Sequence, residues 1–259
     1  MKTIRQGTAE EFLLEAAERF KRARKPVALT GAGISVGSGI PDFRSPGGLW
    51  TVFSPDEYAS IDVFLENPEK AWQLYRELGL GLRDKKPNQA HFALADLEKE
   101  GLLHAIVTQN IDRLHQDAGS QFVFEIHGDH HHLQCLNCDF IEPAEEHHYK
   151  QQEMPRCPEC NSPLKPNIVL FGESVRSLPE IEFVITDCDL LLVIGTSARV
   201  YPAASLPGIV KRNGGSLFEF NMEPALAALS QMAGSRGDDY FFAGDLGATL
   251  PMFRDAVLG

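Results

Sequence analysis

Residues 30–50 read TGAGISVGSGIPDFRSPGGLW, and the reading of this stretch decides the fold. It packs six glycines, two prolines, an Asp and an Arg directly behind the apolar run Val27, Ala28 and Leu29. The run reads as a buried parallel strand, and Gly31, Gly33 and Gly37 then make a G-x-G-x-x-x-G turn where backbone N–H groups can approach a pyrophosphate. The spacing misses the dehydrogenase fingerprint by one residue, and Pro41 and Pro46 would interrupt a helix continuing from the turn. The expectation is a phosphate turn that runs into a functional loop.

Working outward, Thr8 followed by Glu11 forms a capping box, and Phe12, Leu13, Ala16, Ala17 and Phe20 recur on one helical face before Pro26. Ser54-Pro55 opens a helix over 55–66, and Asn67-Pro68 opens another carrying Ala71, Trp72, Leu74, Tyr75 and Leu78. Asn88 caps a further helix, with Phe92, Leu94, Ala95 and Leu97 expected inward and Gly101 closing it. Residues 102–108, 122–126, 189–195 and 216–221 read as strands, with helices over 179–187, 203–213 and 224–233. This βα alternation predicts an α/β fold, a Rossmann-type doubly wound parallel sheet covered on both faces. Residues 129–168 break the rhythm, being polar and rich in His and Cys, and read as an inserted module. Residues 40–87 join it, because ligands and insertions gather at the carboxyl ends of such a sheet. One domain over 1–259 is expected, with a large lobe of 8–39, 88–128 and 169–259 and a small lobe of 40–87 and 129–168.

The formal net charge of −12 argues against general nucleic-acid or anionic-membrane binding and favours cationic partners such as Lys-rich peptides. The charged, amphipathic N-terminal stretch lacks an apolar signal core, so a cytoplasmic location is the default expectation. Four of the five Cys form two C-x-x-C pairs, Cys135/Cys138 and Cys157/Cys160, separated by eighteen residues. That spacing fits a zinc ribbon in a reducing compartment. Four thiolates leave the metal no open position, so one structural zinc is expected. Cys188, just before an apolar strand, reads as a small buried residue.

Strand ends deliver further polar groups to the carboxyl edge. Thr108, Gln109, Asn110, Ile111 and Asp112 follow one strand, His127-Gly128 another, Gly195-Thr196-Ser197 a third and Asn221-Met222-Glu223 a fourth. Asn and Asp also serve local turns and helix caps, and a His after a strand also serves as a structural hydrogen-bonder.

With GAGIS (31–35), GIPDFR (39–44), TQNID (108–112), HG (127–128), both Cys pairs, KPNIVLFGE (165–173), GTS (195–197) and Asn221 in this order, the chain resembles the sirtuins. These are NAD-dependent protein lysine deacylases, here of the bacterial or archaeal type, and the match runs nearly the full length. The resemblance implies a Rossmann lobe, a small lobe of zinc ribbon and helices, and NAD and an acyl-lysine peptide entering the cleft from opposite sides. It places Gly31, Ala32, Gly33 and Ser35 at the pyrophosphate, with Asp42 and Trp50 in the loop beyond. Phe43 would cover C1′ of the ribose and Arg44 would lie beside the phosphates. Gln109 would bond the nicotinamide-side ribose, while Asn110, Ile111 and Asp112 receive the nicotinamide. Gly195, Thr196, Ser197, Asn221, Glu223, Asp245 and Leu246 would flank the adenosine half. His127 would act as general base on the ribose hydroxyls after the acyl oxygen has displaced nicotinamide, a role that suits an ordinary His pKa of about 6.5. Water then releases lysine and O-acyl-ADP-ribose.

The resemblance also implies that Val169, Leu170, Phe171, Gly172 and Glu173, with Val200, bind the substrate as an added strand. Tyr75 matches the Tyr of the desuccinylases' Tyr-x-x-Arg pair, but Leu78 stands where Arg would be. Acetyl and other short uncharged acyl groups are therefore expected, with succinyl poor. Arg76, one residue off, is the side chain that could compensate. One other reading stays open, an ADP-ribosyltransferase or NAD glycohydrolase on the same site; a non-enzymatic zinc-ribbon module attached to a Rossmann lobe is disfavoured by Asn110, Asp112 and His127 occurring together. A dehydrogenase is disfavoured by the extra residue in the glycine turn.

Overall fold

The computed structural model describes residues 1–5, 7, 10–42, 48–229 and 238–259. In chain order the strands are β1 (Lys2–Arg5), β2 (Pro26–Thr30), β3 (Ala105–Thr108), β4 (Val123–Glu125), β5 (Gly128–Cys135), β6 (Ile141–Pro143), β7 (Leu164–Ile168), β8 (Leu190–Ile194), β9 (Ser216–Asn221) and β10 (Tyr240–Ala243). The helices are α1 (Glu10–Lys21), α2 (Pro55–Tyr58), α3 (Ile61–Glu66), α4 (Pro68–Leu82), α5 (Gln89–Lys99), α6 (Leu114–Asp117), α7 (Glu146–Lys150), α8 (Leu178–Thr186), α9 (Leu206–Arg212) and α10 (Leu246–Leu258).

Apolar residues alternate between two faces of β2, as a strand covered on both sides requires. Ala28 joins Ile106, Leu192 and Phe218 under Phe20, Leu94 and Phe253, whereas Val27 and Leu29 join Val107, Leu191 and Val193 under Ile181, Ile185 and Val210. The seven-stranded sheet runs β1-β10-β9-β8-β2-β3-β4 with all neighbours parallel. From β4 to β10 this is the Rossmann order, and β1 extends one edge. The order reverses between β2 and β8, so the turns after these two strands meet at the crevice where such sheets bind ligands. A second, three-stranded antiparallel sheet, β6-β5-β7, packs with α2, α3, α4 and α7 around Phe64, Trp72, Tyr75, Leu133 and Tyr149.

Several local expectations shift. The helix over 55–66 breaks into α2 and α3, because Phe171 pairs with the break: its N–H donates to the Ala59 carbonyl, and its carbonyl accepts from the Ile61 N–H. Ser60 then caps α3 through the Val63 N–H. In α5 the inward set is Ala90, His91, Ala93, Leu94 and Leu97; Phe92 is exposed and Ala95 half-buried, so the expected face was rotated. Leu102 and Leu103 turn back to the Leu97 carbonyl, which delays β3 to Ala105. Residues 224–228 make turns where a helix was expected, held by Glu219, whose carboxylate accepts from Ala225 and Leu226 N–H. Thr8, of the capping box, lies outside the described residues. Strands β1 and β10 and helix α10 escaped the periodicity: KTIR buries one residue fully, YFFA is short, and α10 carries Pro251 inside it. Among the described residues no helix is long and apolar enough to cross a membrane.

Candidate active site

At the switch point the glycines serve approach first. A Cβ on Gly31 would sit 2.8 Å from Thr196 Cβ, one on Gly33 2.7 Å from Gly195 Cα, and Gly195 itself has φ +58. The turns after β2 and β8 therefore touch, and the Gly31 and Gly33 N–H groups donate to the Ile194 and Gly195 carbonyls. The glycine pattern thus buys contact between turns, and these two N–H groups are already committed within the protein. A 3-10 helix over Ala32–Ser38 follows, with Ser35 buried.

Residues 109–112 arrive beside it from β3. Asn110 Nδ2 donates to the Gly31 carbonyl (3.2 Å) and to Ser35 Oγ (3.1 Å), and Ser35 Oγ donates to Asp112 Oδ2 (2.6 Å). Asp112 Oδ1 accepts from Leu114 N–H and so also caps α6. Both readings of the Asn and Asp hold at once: they are local hydrogen-bonders and they form a fixed polar wall. Their free acceptor capacity, the Asn110 Oδ1 and remaining Asp112 lone pairs, suits an amide NH₂. Ile111 is half-buried alongside, and its carbonyl accepts from His130. Gln109 Nε2 donates to Thr196 Oγ1 at 2.9 Å and ties this wall to the β8 turn.

His127 emerges after β4, half-buried, with Nδ1 2.9 Å from the Gln109 carbonyl. A carbonyl only accepts, so Nδ1 carries the proton and Nε2 keeps its lone pair. Burial pushes the His127 pKa below its ordinary value, and this hydrogen bond opposes the shift. Its carbonyl accepts from Val169 N–H at 2.8 Å, joining His127 to 169–173. Gly128 has φ +73, and a Cβ there would lie 2.0 Å from the Asn167 carbonyl, so no other residue follows His127 without moving β7.

On the β8–β10 side Asn221 Nδ2 donates to the Thr196 carbonyl, Ser197, Glu223 and Asp245 are exposed, and Leu246 is buried at the start of α10. On the other side Phe171 is half exposed, its ring centroid 6.5 Å from that of Trp50. Gly172 takes φ +93, and Val200 is half-buried. Leu170 is buried, and its N–H donates to Glu173 Oε2. Asp42 is half-buried; Phe43 and Arg44 lie outside the described residues. Tyr75 is wholly buried in the core around Phe64, Trp72 and Tyr149, its hydroxyl without a partner among the described residues, and Leu78 packs against that core. Arg76 donates to the Gln151 and Gln152 carbonyls and stacks over Trp72, so it is engaged away from Tyr75.

The Sγ atoms of Cys135, Cys138, Cys157 and Cys160 all lie within 4.8 Å of one another, with Cys135–Cys160 at 3.5 Å and Cys138–Cys157 at 3.4 Å. A tetrahedral Zn–S₄ centre sets edges of about 3.8 Å, so the four donors fit a zinc ion that would close them fully. Cys188 is buried, donates to the Leu190 carbonyl and has its pKa pushed up to about 12, as an inert core thiol should.

The Sir2 family pattern matches residues 31–202. The chain belongs to the Sir2 family. It is 41% identical over 255 residues to an NAD-dependent protein deacylase of Pyrococcus furiosus, covering 95% of this chain and 98% of that one. It is 47% identical over 213 residues to an NAD-dependent protein deacetylase of Sulfolobus acidocaldarius, covering 81% and 83%. A solved Sir2 complex with a p53 peptide and NAD+ superposes with a TM-score of 0.79 at 36% identity, covering 94% and 96%.

Within this Sir2-family site, two supports went unread in the sequence. Thr30 and Thr108 pair across β2 and β3 and link Asn110 N–H to buried His115 through Thr30 Oγ1. Lys165, wholly buried, sits beneath 168–173. A lysine opening the apolar run KPNIVLF was the available signal for the second.

Proposed function

We propose that this chain is an NAD-dependent protein lysine deacylase that converts an acyl-lysine peptide, NAD and water to free lysine, nicotinamide and O-acyl-ADP-ribose. The observation that carries the reading is the tautomer of His127: with Nδ1–H held by the Gln109 carbonyl, Nε2 is a base aimed by backbone geometry. Asn110 and Asp112 hold the nicotinamide amide, and the hydrogen bonds both make to Ser35 fix them before NAD arrives. NAD lies across the β2–β8 turns, with Ala32, Gly195, Thr196, Ser197 and Asn221 on its phosphate and adenosine side and Gln109 toward the nicotinamide-side ribose. The relatives' names, and the NAD+ and peptide in the superposed Sir2 complex, support these placements.

The acyl-lysine peptide adds as a strand beside 169–171. Val169 N–H and both backbone groups of Phe171 are taken within the protein, while the Val169 carbonyl accepts from no described residue and remains for the substrate. The four Cys hold one zinc, which supplies a cross-link and no catalytic position. The large lobe is 8–39, 88–128 and 169–259, and the small lobe is 40–87 and 129–168. The chain works in the cytoplasm.

The test is nicotinamide release. It should require an acyl-lysine peptide, and its steady-state rate should fall steeply in His127→Ala because the intermediate formed as nicotinamide leaves is no longer resolved; release that ignores the peptide would favour an NAD glycohydrolase or ADP-ribosyltransferase instead.

A further inference from the structure

We propose that Lys165 and Glu173 form a positioning clamp that sets the peptide-binding segment and ties it to the zinc ribbon. Lys165 touches no solvent, yet its ammonium makes two contacts on that segment, Glu173 Oε2 at 3.1 Å and the Ile168 carbonyl at 2.5 Å, and a third on the adjoining Pro166 carbonyl at 3.3 Å. The same Glu173 oxygen accepts from Leu170 N–H at 2.8 Å, and Glu173 N–H returns to the Leu170 carbonyl at 3.0 Å. One ion pair therefore grips 168–173 at both ends and closes its turn. Outside the clamp, Val169 N–H is fixed to His127 and Phe171 to 59–61.

An ion pair between a fully buried lysine and a half-buried glutamate is a poor way to gain stability, because desolvation of the ammonium offsets most of the attraction. Its geometric effect is clearer, since it dictates which backbone groups of 168–173 face inward and leaves the Val169 carbonyl to the cleft. Lys165 also belongs to β7, where Leu164 pairs with the zinc ligand Cys135 and Lys165 with Gln134. The ribbon is thereby coupled through one side chain to the segment that receives substrate.

The clamp rests on the deacylase reading, and the test separates the two. An acetyl-lysine peptide labelled with a fluorophore is titrated by anisotropy, without NAD, into the unchanged chain, Lys165→Met, Glu173→Gln and the double variant. NAD binding and zinc content are measured in each. Displacing a preorganised strand should raise peptide Kd about tenfold in Lys165→Met, with NAD Kd changed less than about twofold. Glu173→Gln keeps an acceptor for Leu170 N–H and should give a smaller rise. The double variant, which leaves no unpaired buried charge, should be no worse than Lys165→Met, because both changes remove one interaction. Peptide Kd unchanged in Lys165→Met or in the double variant would overturn the clamp, as would additive effects. If Lys165→Met fails to retain zinc, Glu173→Gln and the double variant decide by the same criterion. If the unchanged chain binds NAD but no acetyl-lysine peptide, the deacylase reading fails and the clamp with it.

Discussion

His127 has its Nδ1 proton fixed on the Gln109 carbonyl, so His127→Ala should cut deacylation by about 10²-fold or more. Burial lowers its pKa, which keeps the imidazole neutral and basic into mildly acid solution. The acid limb of kcat/KM should therefore fall below the ordinary histidine value of about pH 6.5, and a limb above that value would contradict the buried-base account. Acyl preference is also a residue-scale matter. With Arg76 bound to 151–152 and Leu78 apolar, neither position offers a succinyl carboxylate a free guanidinium, and parallel peptide assays should show succinyl-lysine turned over about tenfold more slowly than acetyl-lysine, or worse. Comparable rates would show that another cation reads the acyl group. Asn110, Asp112 and His127 were legible in the sequence because each follows a strand that delivers it to one edge. Lys165 and His115 were not, because their partners lie elsewhere in the chain: Glu173 across a turn from Lys165, and Thr30 on β2 for His115 of α6.

Among the elements, the zinc ribbon was the easiest to read and the 55–66 helix the hardest. Cys spacing reports covalent chemistry directly, whereas the break at Ala59 exists only to receive Phe171 from a hundred residues away. Stripping zinc with a chelator should unfold β5–β7 and abolish peptide binding, because four adjacent thiols lose the cation that holds them together. Differential scanning fluorimetry on Cys157→Ala should show the same fall in Tm; an unchanged Tm would deny the ribbon its structural part. The contact between α4 and α7 is equally strict. A Cβ on Gly79 would lie 2.3 Å from the Tyr149 ring, so Gly79→Ala should destabilise the chain by about 1–3 kcal/mol in denaturant titration.

Over the whole molecule, the parallel sheet was readable from βα rhythm, but β1, β10 and α10 were not, since short or proline-bearing segments carry too little period. The glycine turn shows a subtler shift. Its sequence suggested phosphate approach, and the fold uses Gly31, Gly33 and Gly195 to let two turns meet where the strand order reverses. Global stability should carry the mark of buried imidazoles. His91 and His130 have pKa values lowered to about 4, and His115 lies well below its usual value, all chiefly through burial. The unfolded chain takes up protons near pH 6.5 that the folded chain refuses. Stability is therefore complete above about pH 6.5 and declines as pH falls toward 4, by on the order of 1.4 kcal/mol per pH unit for each histidine. Chemical denaturation at stepped pH measures this, and a flat profile would contradict it.

The most direct test of the central claim is mass spectrometry of the products formed from NAD and an acetyl-lysine peptide. Equal amounts of free-lysine peptide, nicotinamide and O-acetyl-ADP-ribose, with the free-lysine peptide and O-acetyl-ADP-ribose reduced about 10²-fold or more in His127→Ala, are the predicted result. Free ADP-ribose, or ADP-ribosylated peptide with its acetyl group intact, would contradict the account.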